Sequence, residues 1–324
     1  MKKIKLKILV LAGGLSSEYK VSLRTAQTII KNLDVQKYET SLAIIKKDKT
    51  WSFYPDVKSV RIEDAVKHLV SSRFDFVFIA IHGFSGEDGR TQALLEWLDM
   101  PYAGSGILSS AMAMDKEISN VLYKANGLLV PRYFIFDQHS EIGKINLKLP
   151  LVVKPANGGS SIGISIARTK KELMEAINIA FGEDNKIMIQ EYIRGREFTC
   201  GVLEGRDGKP FVLPPTEIIP KGYSFFDYQA KYKVKGSLEI TPARLPMSKF
   251  KELQKLALMA HKILECRGMS RSDFILKGSK FYILETNTIP GMTETSLLPK
   301  AAKVAGINFP EFLDLIIESG LRRE

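Results

Sequence analysis

A chain of 324 residues, 45% hydrophobic and 26% charged, has the balance of a soluble globular protein with room for two or three subdomains. It contains no apolar run of about 18 residues, which excludes a membrane-spanning helix, and its two cysteines, Cys200 and Cys266, exclude a disulfide framework. The net charge of +11 comes from lysines scattered along the chain rather than blocked together, so it argues for a basic surface and anionic small substrates, with no nucleic-acid partner.

The basic start precedes only a short apolar run, Ile8–Ala12. Lysines alternate into it and Gly13-Gly14 follows, so it reads as a β-strand rather than a signal segment. A cytoplasmic protein is expected. Strand 5–12, a glycine turn and a helix over 21–32 open an α/β unit. A dinucleotide fingerprint is absent. Glu18, in the turn, suits the positive end of that helix. Residues 74–81, apolar but for Asp75, read as a strand running into His82-Gly83-Phe84-Ser85-Gly86-Glu87-Asp88-Gly89. A glycine-rich polar loop at the carboxyl end of a buried strand is where open α/β sheets bind ligands, although a histidine there could equally cap a turn. A helix follows over 92–98, and the loop 101–106 marks a domain boundary.

Met114-Asp115-Lys116 begins a helix that Gly127 ends; taken alone, Lys116 passes for a surface lysine. Strand 151–155 carries Lys154 and leads into Asn157-Gly158-Gly159-Ser160-Ser161-Ile162-Gly163, then strand 164–167. Exposed N–H groups of Gly and Ser can cradle phosphate. With no Gly-Lys-Ser/Thr and no helix directly after it, this is a hairpin lid rather than a P-loop. Thr169 and Glu172 form a capping box for a helix to about 181. Strand 187–193 includes Gln190, Glu191 and Ile193, with Glu197 just beyond. Segment 221–236 interleaves aromatics with lysines; a closing lid fits better than a single-strand nucleic-acid groove. An amphipathic helix spans 248–265, with His261 on its apolar stripe, and a final helix spans 308–321.

Between those two helices, residues 274–276 and 281–284 read as a β-hairpin turning at Lys277-Gly278-Ser279-Lys280. Its open end gathers Arg271, Asp273, Glu285 and Asn287, the last two on one face. Three oxygen ligands at one spot suit Mg²⁺, which also takes ligands from phosphates; a solvated hairpin with polar ends is the plainer alternative.

Arg-x-Asp followed by Glu-x-Asn-Thr-x-Pro-Gly-Met-Thr-x-x-Ser resembles the metal and oxyanion segment of the ATP-grasp ligases, and within them the D-alanine–D-alanine ligases. Gly-Gly-x-Ser-x-Glu-x-x-Val-Ser-Leu, the His82–Gly89 octad, the 154–163 loop and Asp-Tyr-x-Ala-Lys-Tyr are similar to further family motifs, in the family's order and over nearly the whole chain. The resemblance implies an α/β (α+β) ATP-grasp fold behind an N-terminal Rossmann-like domain, with limits near 1–103, 104–189 and 190–324. It implies ATP-dependent joining of two D-alanines through an acyl phosphate for peptidoglycan, with Mg²⁺ or Mn²⁺, in a homodimer.

By the same resemblance, Glu18 faces the ammonium of the first D-alanine, linked to Ser160 and Tyr232, and His82 belongs to the substrate site. Lys116 and Lys154 bind phosphate; Gln190, Glu191 and Ile193 meet adenine; Glu197 takes the ribose. Asp273, Glu285 and Asn287 hold the metal. Arg271 and the Gly291 N–H stabilise the oxyanion, and Lys231, Ser296 and the Leu297 N–H hold the acceptor carboxylate. Lys20, Thr91, Ala93, Ser272 and Thr286 depart from the usual family residues, as do Gln190 and Glu191. A relative using D-lactate or D-serine as acceptor is the nearest alternative.

Overall fold

The computed structural model describes residues 5–55, 57–137, 139–140, 146–159, 162–220 and 237–322. The apolar run at the start forms β1 (Leu6–Gly13), and Gly13 and Gly14, both at positive φ, turn the chain into α1 (Tyr19–Asn32). Next come β2 (Tyr38–Ile45), β3 (Trp51–Tyr54), β4 (Val57–Val60), α2 (Ile62–Ser72), β5 (Phe76–Ile79) and α3 (Arg90–Trp97). β1 pairs in parallel with both β2 and β5, giving the order β4-β3-β2-β1-β5 with an antiparallel β2-β3-β4 edge. This is the expected N-terminal α/β layer, and the His82 loop leaves the carboxyl end of β5.

The middle of the chain carries α4 (Ile107–Met114), α5 (Lys116–Ala125), β6 (Tyr133–Asp137), β7 (Leu151–Pro155), β8 (Ser165–Ala167), α6 (Lys170–Phe181) and β9 (Lys186–Glu191). Its antiparallel sheet has the order β6-β9-β7-β8, and α6 packs on it through Leu173, Ala176, Ile177 and Ala180. β9 runs to Glu191. Ala113 of α4 and Tyr123 of α5 are buried in the core of the next sheet.

That sheet contains β10 (Arg196–Glu204), β11 (Pro210–Val212), β12 (Thr216–Pro220), β13 (Ser237–Ile240), β14 (Met269–Lys277) and β15 (Lys280–Asn287), in the order β13-β12-β10-β14-β15 with β11 on β10. α7 (Met247–Ile263) covers it with Leu253, Ala257 and Ala260. α8 (Leu297–Val304) and α9 (Phe309–Leu321) close the chain. α9 returns to the N-terminal layer: Phe312, Leu313, Ile316 and Ile317 share one core with β1 and β5. His261 is buried against Ser270, its Nδ1 2.8 Å from the hydroxyl, as a structural histidine should be.

Candidate active site

The hairpin read from sequence is β14–β15. Its register pairs Asp273 with Glu285 and Arg271 with Asn287, and it shifts immediately after Asp273, where a bulge interrupts the ladder. Arg271 makes a two-pronged contact to Asp273, Nε to Oδ1 at 3.0 Å and Nη2 to Oδ2 at 2.9 Å. Thr199 on β10 donates to the same Oδ1 at 2.6 Å. The carboxylates of Asp273 and Glu285 hold the guanidinium charged and raise its pKa, against the opposing effect of burial.

Arg271 and Thr199 fix the Asp273 carboxylate at the open end of the hairpin, opposite Glu285. Among the described residues the Asn287 Nδ2 position is buried without a hydrogen-bond partner. Among the described residues no three His, Cys, Asp or Glu side chains cluster as a metal site. Two carboxylates and an amide are a partial oxygen set of the kind Mg²⁺ accepts when phosphates complete its shell, so the residues fit the ion.

Glu18 precedes α1 but does not cap it. Its carboxylate turns inward: a Cβ added at Gly83 would lie 2.7 Å from Glu18 Oε2, and the φ of +70° at Gly83 favours glycine where the two loops meet. Ser16 fastens that approach, accepting from Glu18 N–H and donating to the His82 carbonyl at 2.7 Å. Both His82 ring nitrogens are engaged within the protein. Nδ1 lies 3.1 Å from the Ile289 carbonyl and Nε2 lies 2.8 Å from Thr25 Oγ1. Nδ1 therefore donates and Nε2 accepts, and burial holds the ring neutral by lowering its pKa. His82 lines the larger of the site's two openings, and its ring ties Thr25 of α1 to the Ile289 carbonyl.

Glu87 braces the octad loop. It accepts from Gly83 N–H at 2.9 Å, and burial together with the Glu18 charge pushes its carboxyl up to about 8. Sequence reasoning gave Glu87 no role, although it stands in the octad; the signal was there. Thr25, Thr199 and Tyr123 carried no motif signal. Of the departures, Thr91 donates to the Ser85 carbonyl, and Ser272 and Thr286 pair with each other at 2.7 Å, on the strand face opposite Asp273, Glu285 and Asn287.

Two openings meet at Glu285. One, about 620 Å³, is lined by Val152, Lys154, Gln190, Ile193, Glu197 and Asp273. This brings together all the residues expected at the nucleotide except Lys116; Glu191 also lines it, and the Gln190 Nε2 is buried without a partner. Lys116 sits beyond Glu285, its Nζ donating to the Gly158 carbonyl at 2.6 Å. The other opening, about 1280 Å³, joins Glu18, His82, Arg271, Asn287, Gly291 and Ser296. Leu297 lines it too, as the first residue of α8, a helix that no side chain caps. Its N-terminus is therefore ready for a carboxylate. Ser296 Oγ is 2.8 Å from Thr293 Oγ1, which orients the hydroxyl beside Gly291. Ser160, Lys231 and Tyr232, with the segment 221–236 expected to be a lid, lie outside the described residues.

The model of the D-ala D-ala ligase N-terminus matches residues 7–73 and 56–105, and that of the D-ala D-ala ligase C-terminus matches 122–318. A D-alanine–D-alanine ligase of Leptospira interrogans is 39% identical, covering 98% of this chain and 99% of that one. The D-alanine–D-alanine ligase from Bacillus anthracis complexed with ATP superposes with a TM-score of 0.80 at 34% identity, covering 98% of each chain. The VanG D-Ala:D-Ser ligase from Enterococcus faecalis superposes with a TM-score of 0.82 at 31% identity, covering 97% of this chain and 99% of that one. Matching along both halves, with identity sustained end to end, the chain belongs to the D-alanine–D-alanine ligase family, whose members are ATP-dependent ligases.

Proposed function

We propose that this chain uses ATP to join two D-alanines into D-alanyl-D-alanine for peptidoglycan, in the cytoplasm and as a homodimer. Among the described residues no helix is long and apolar enough to cross a membrane. The observation that carries the reading is the placement of Arg271, Asp273, Glu285 and Asn287 at one end of one hairpin, where the nucleotide opening meets the Gly291–Ser296 opening.

Lys154, Gln190, Glu191, Ile193 and Glu197 hold the nucleotide. Lys116 and Lys154 offset phosphate charge. Glu18 holds the ammonium of the first D-alanine so that its carboxylate points at the phosphate; phosphorylation there gives an acyl phosphate. Asp273, Glu285 and Asn287 hold Mg²⁺, or Mn²⁺ in its place, which neutralises the phosphates when bound. Attack by the second amine builds an oxyanion, and Arg271 with the Gly291 N–H supplies fixed positive charge to it. His82 steadies the approach to Gly291 through the Ile289 carbonyl. Ser296, the Leu297 N–H and Lys231 hold the acceptor carboxylate, while Ser160 and Tyr232 complete the hydrogen bonding around Glu18.

Similarity to a D-Ala:D-Ser ligase makes D-serine the second reading for the acceptor. Phosphate release measured over D- and L-amino acids and D-lactate, with the products identified, tests both. D-Alanine alone should drive ADP release and give the dipeptide. Preferential formation of D-alanyl-D-serine or D-alanyl-D-lactate in competition overturns the acceptor assignment.

A further inference from the structure

Behind the metal face runs a buried chain of three hydroxyls. Tyr123 Oη donates to Thr286 Oγ1 at 2.7 Å, and Thr286 Oγ1 lies 2.7 Å from Ser272 Oγ. All three residues are buried. Thr286 stands between Glu285 and Asn287, and Ser272 stands between Arg271 and Asp273. Strand alternation sends the two hydroxyls to one side and their four neighbours to the other. They are also direct cross-strand partners, one position before the bulge that follows Asp273. A bulge lets a ladder twist and slip; the paired hydroxyls fix the register where the ladder is about to break.

Tyr123 links that pair to a different element. The buried face of α5 is Lys116, Ser119, Asn120 and Tyr123, a spacing that aligns them along one side of the helix. One end of that face is Lys116, whose N–H donates to the Ala156 carbonyl at 2.9 Å and whose Nζ reaches the Gly158 carbonyl. The other end, two turns or about 10 Å along the axis, is the Tyr123 hydroxyl on Thr286. A side chain that merely filled space could slide along the strand; a hydrogen bond to one oxygen fixes both position and direction.

We propose that Tyr123, Thr286 and Ser272 are positioning residues that set the phosphate-side lysine Lys116 against the Asp273, Glu285 and Asn287 face. The proposal rests on the nucleotide and metal reading given above. Its test uses direct binding of Mn²⁺·ADP to the intact protein, followed by Mn²⁺ paramagnetic resonance and calorimetry, beside steady-state kinetics and thermal denaturation. Tyr123→Phe and Thr286→Val each remove one hydroxyl and keep the shape. Ser270→Ala removes a buried hydroxyl of the same strand that pairs with His261 of α7 and not with Tyr123 or Thr286, as a control for general loss of stability.

Tyr123→Phe and Thr286→Val should each weaken Mn²⁺·ADP binding about fivefold or more and lower kcat, with the KM for D-alanine held within about twofold. The double variant should be no worse than the poorer single, because both break one link. Ser270→Ala should lose comparable thermal stability without changing Mn²⁺·ADP affinity. If Tyr123→Phe loses stability and leaves Mn²⁺·ADP affinity unchanged, as the control does, the hydroxyl chain only holds the fold and the proposal falls. It falls also if Thr286→Val alone weakens binding, since the strand pair would then act without the helix. Glu285→Gln separates the two levels: unchanged Mn²⁺·ADP binding in that variant overturns the metal reading itself.

Discussion

Glu87 shows how much one side chain can carry without announcing itself. Its carboxyl shares a buried space with Glu18 and rises from an ordinary 4.5 up to about 8. Between those values the folded protein keeps a proton that the unfolded chain has lost. The stability this group contributes is complete below about pH 4.5 and is lost as pH rises through about 8. Glu87→Gln keeps the shape and cannot ionise. Denaturation midpoints of wild type and variant should run together in acid, then separate with the variant the more stable above about pH 8. Parallel curves across that range would show that Glu87 does not titrate there. Its neighbour at the metal face is tested by turnover: Glu285→Gln should lower kcat at least ~10²-fold, as lost charge stabilisation at a reacting phosphate costs several kcal/mol. Near-normal turnover at ordinary Mg²⁺ would remove Glu285 from the ligand set. His82 was readable from its octad, but its partners Thr25 and Ile289 are 57 and 207 residues away. Nothing local in sequence records such distant pairings, so the ring's tie from Thr25 to Ile289 emerged only with the fold.

At the scale of elements, legibility followed how much of an element's cause is local. The β14–β15 hairpin places the apolar runs 274–276 and 281–284 on both sides of a glycine at positive φ, and its register follows from a turn at 277–280 up to the bulge that pairs Asp273 with Glu285. α6 was readable from Thr169, which accepts from Glu172 N–H, and α9 begins where Asn308 accepts from Glu311 N–H. The stretch from β2 to α2 carries no motif and short strands, and α8 hides behind Pro299, a residue tolerated in a helix's first turn and easily taken for a stop. α5 had its cap in plain view. Asp115 accepts from Glu117 N–H at 2.9 Å and from Ile118 N–H at 3.2 Å, directly before Lys116. It also takes Lys186 Nζ at 2.6 Å. Asp115→Ala should cost about 1–2 kcal/mol in urea denaturation, whereas Asp115→Asn, which still caps, should cost less than half of that. Equal losses would place the contribution in the ion pair with Lys186 instead of the cap.

Across the whole molecule the chain's two ends are held together. The N-terminal sheet does not own its core. Phe312, Leu313, Ile316 and Ile317 of α9 are buried with Ile8, Val10, Phe76 and Phe78. Gly320 fits so closely that an added Cβ would lie 2.4 Å from the Tyr102 carbonyl oxygen. Asp314 locks this contact, taking the Tyr38 hydroxyl on Oδ1 at 2.7 Å and the Lys37 ammonium on Oδ2. The Tyr38 bond is buried and the Lys37 side chain is half exposed, so the first should dominate. Asp314→Ala leaves a buried hydroxyl without its acceptor and should cost about 1–3 kcal/mol. Asp314→Asn keeps an oxygen for Tyr38 and should cost under about 1 kcal/mol. Because the core is shared, the loss should appear as one cooperative transition moved to lower denaturant, with fluorescence of the buried Trp51 and far-UV circular dichroism coinciding. If the fluorescence change in Asp314→Ala precedes the loss of secondary structure, the N-terminal layer unfolds by itself and the shared core does not bind the two ends into one unit.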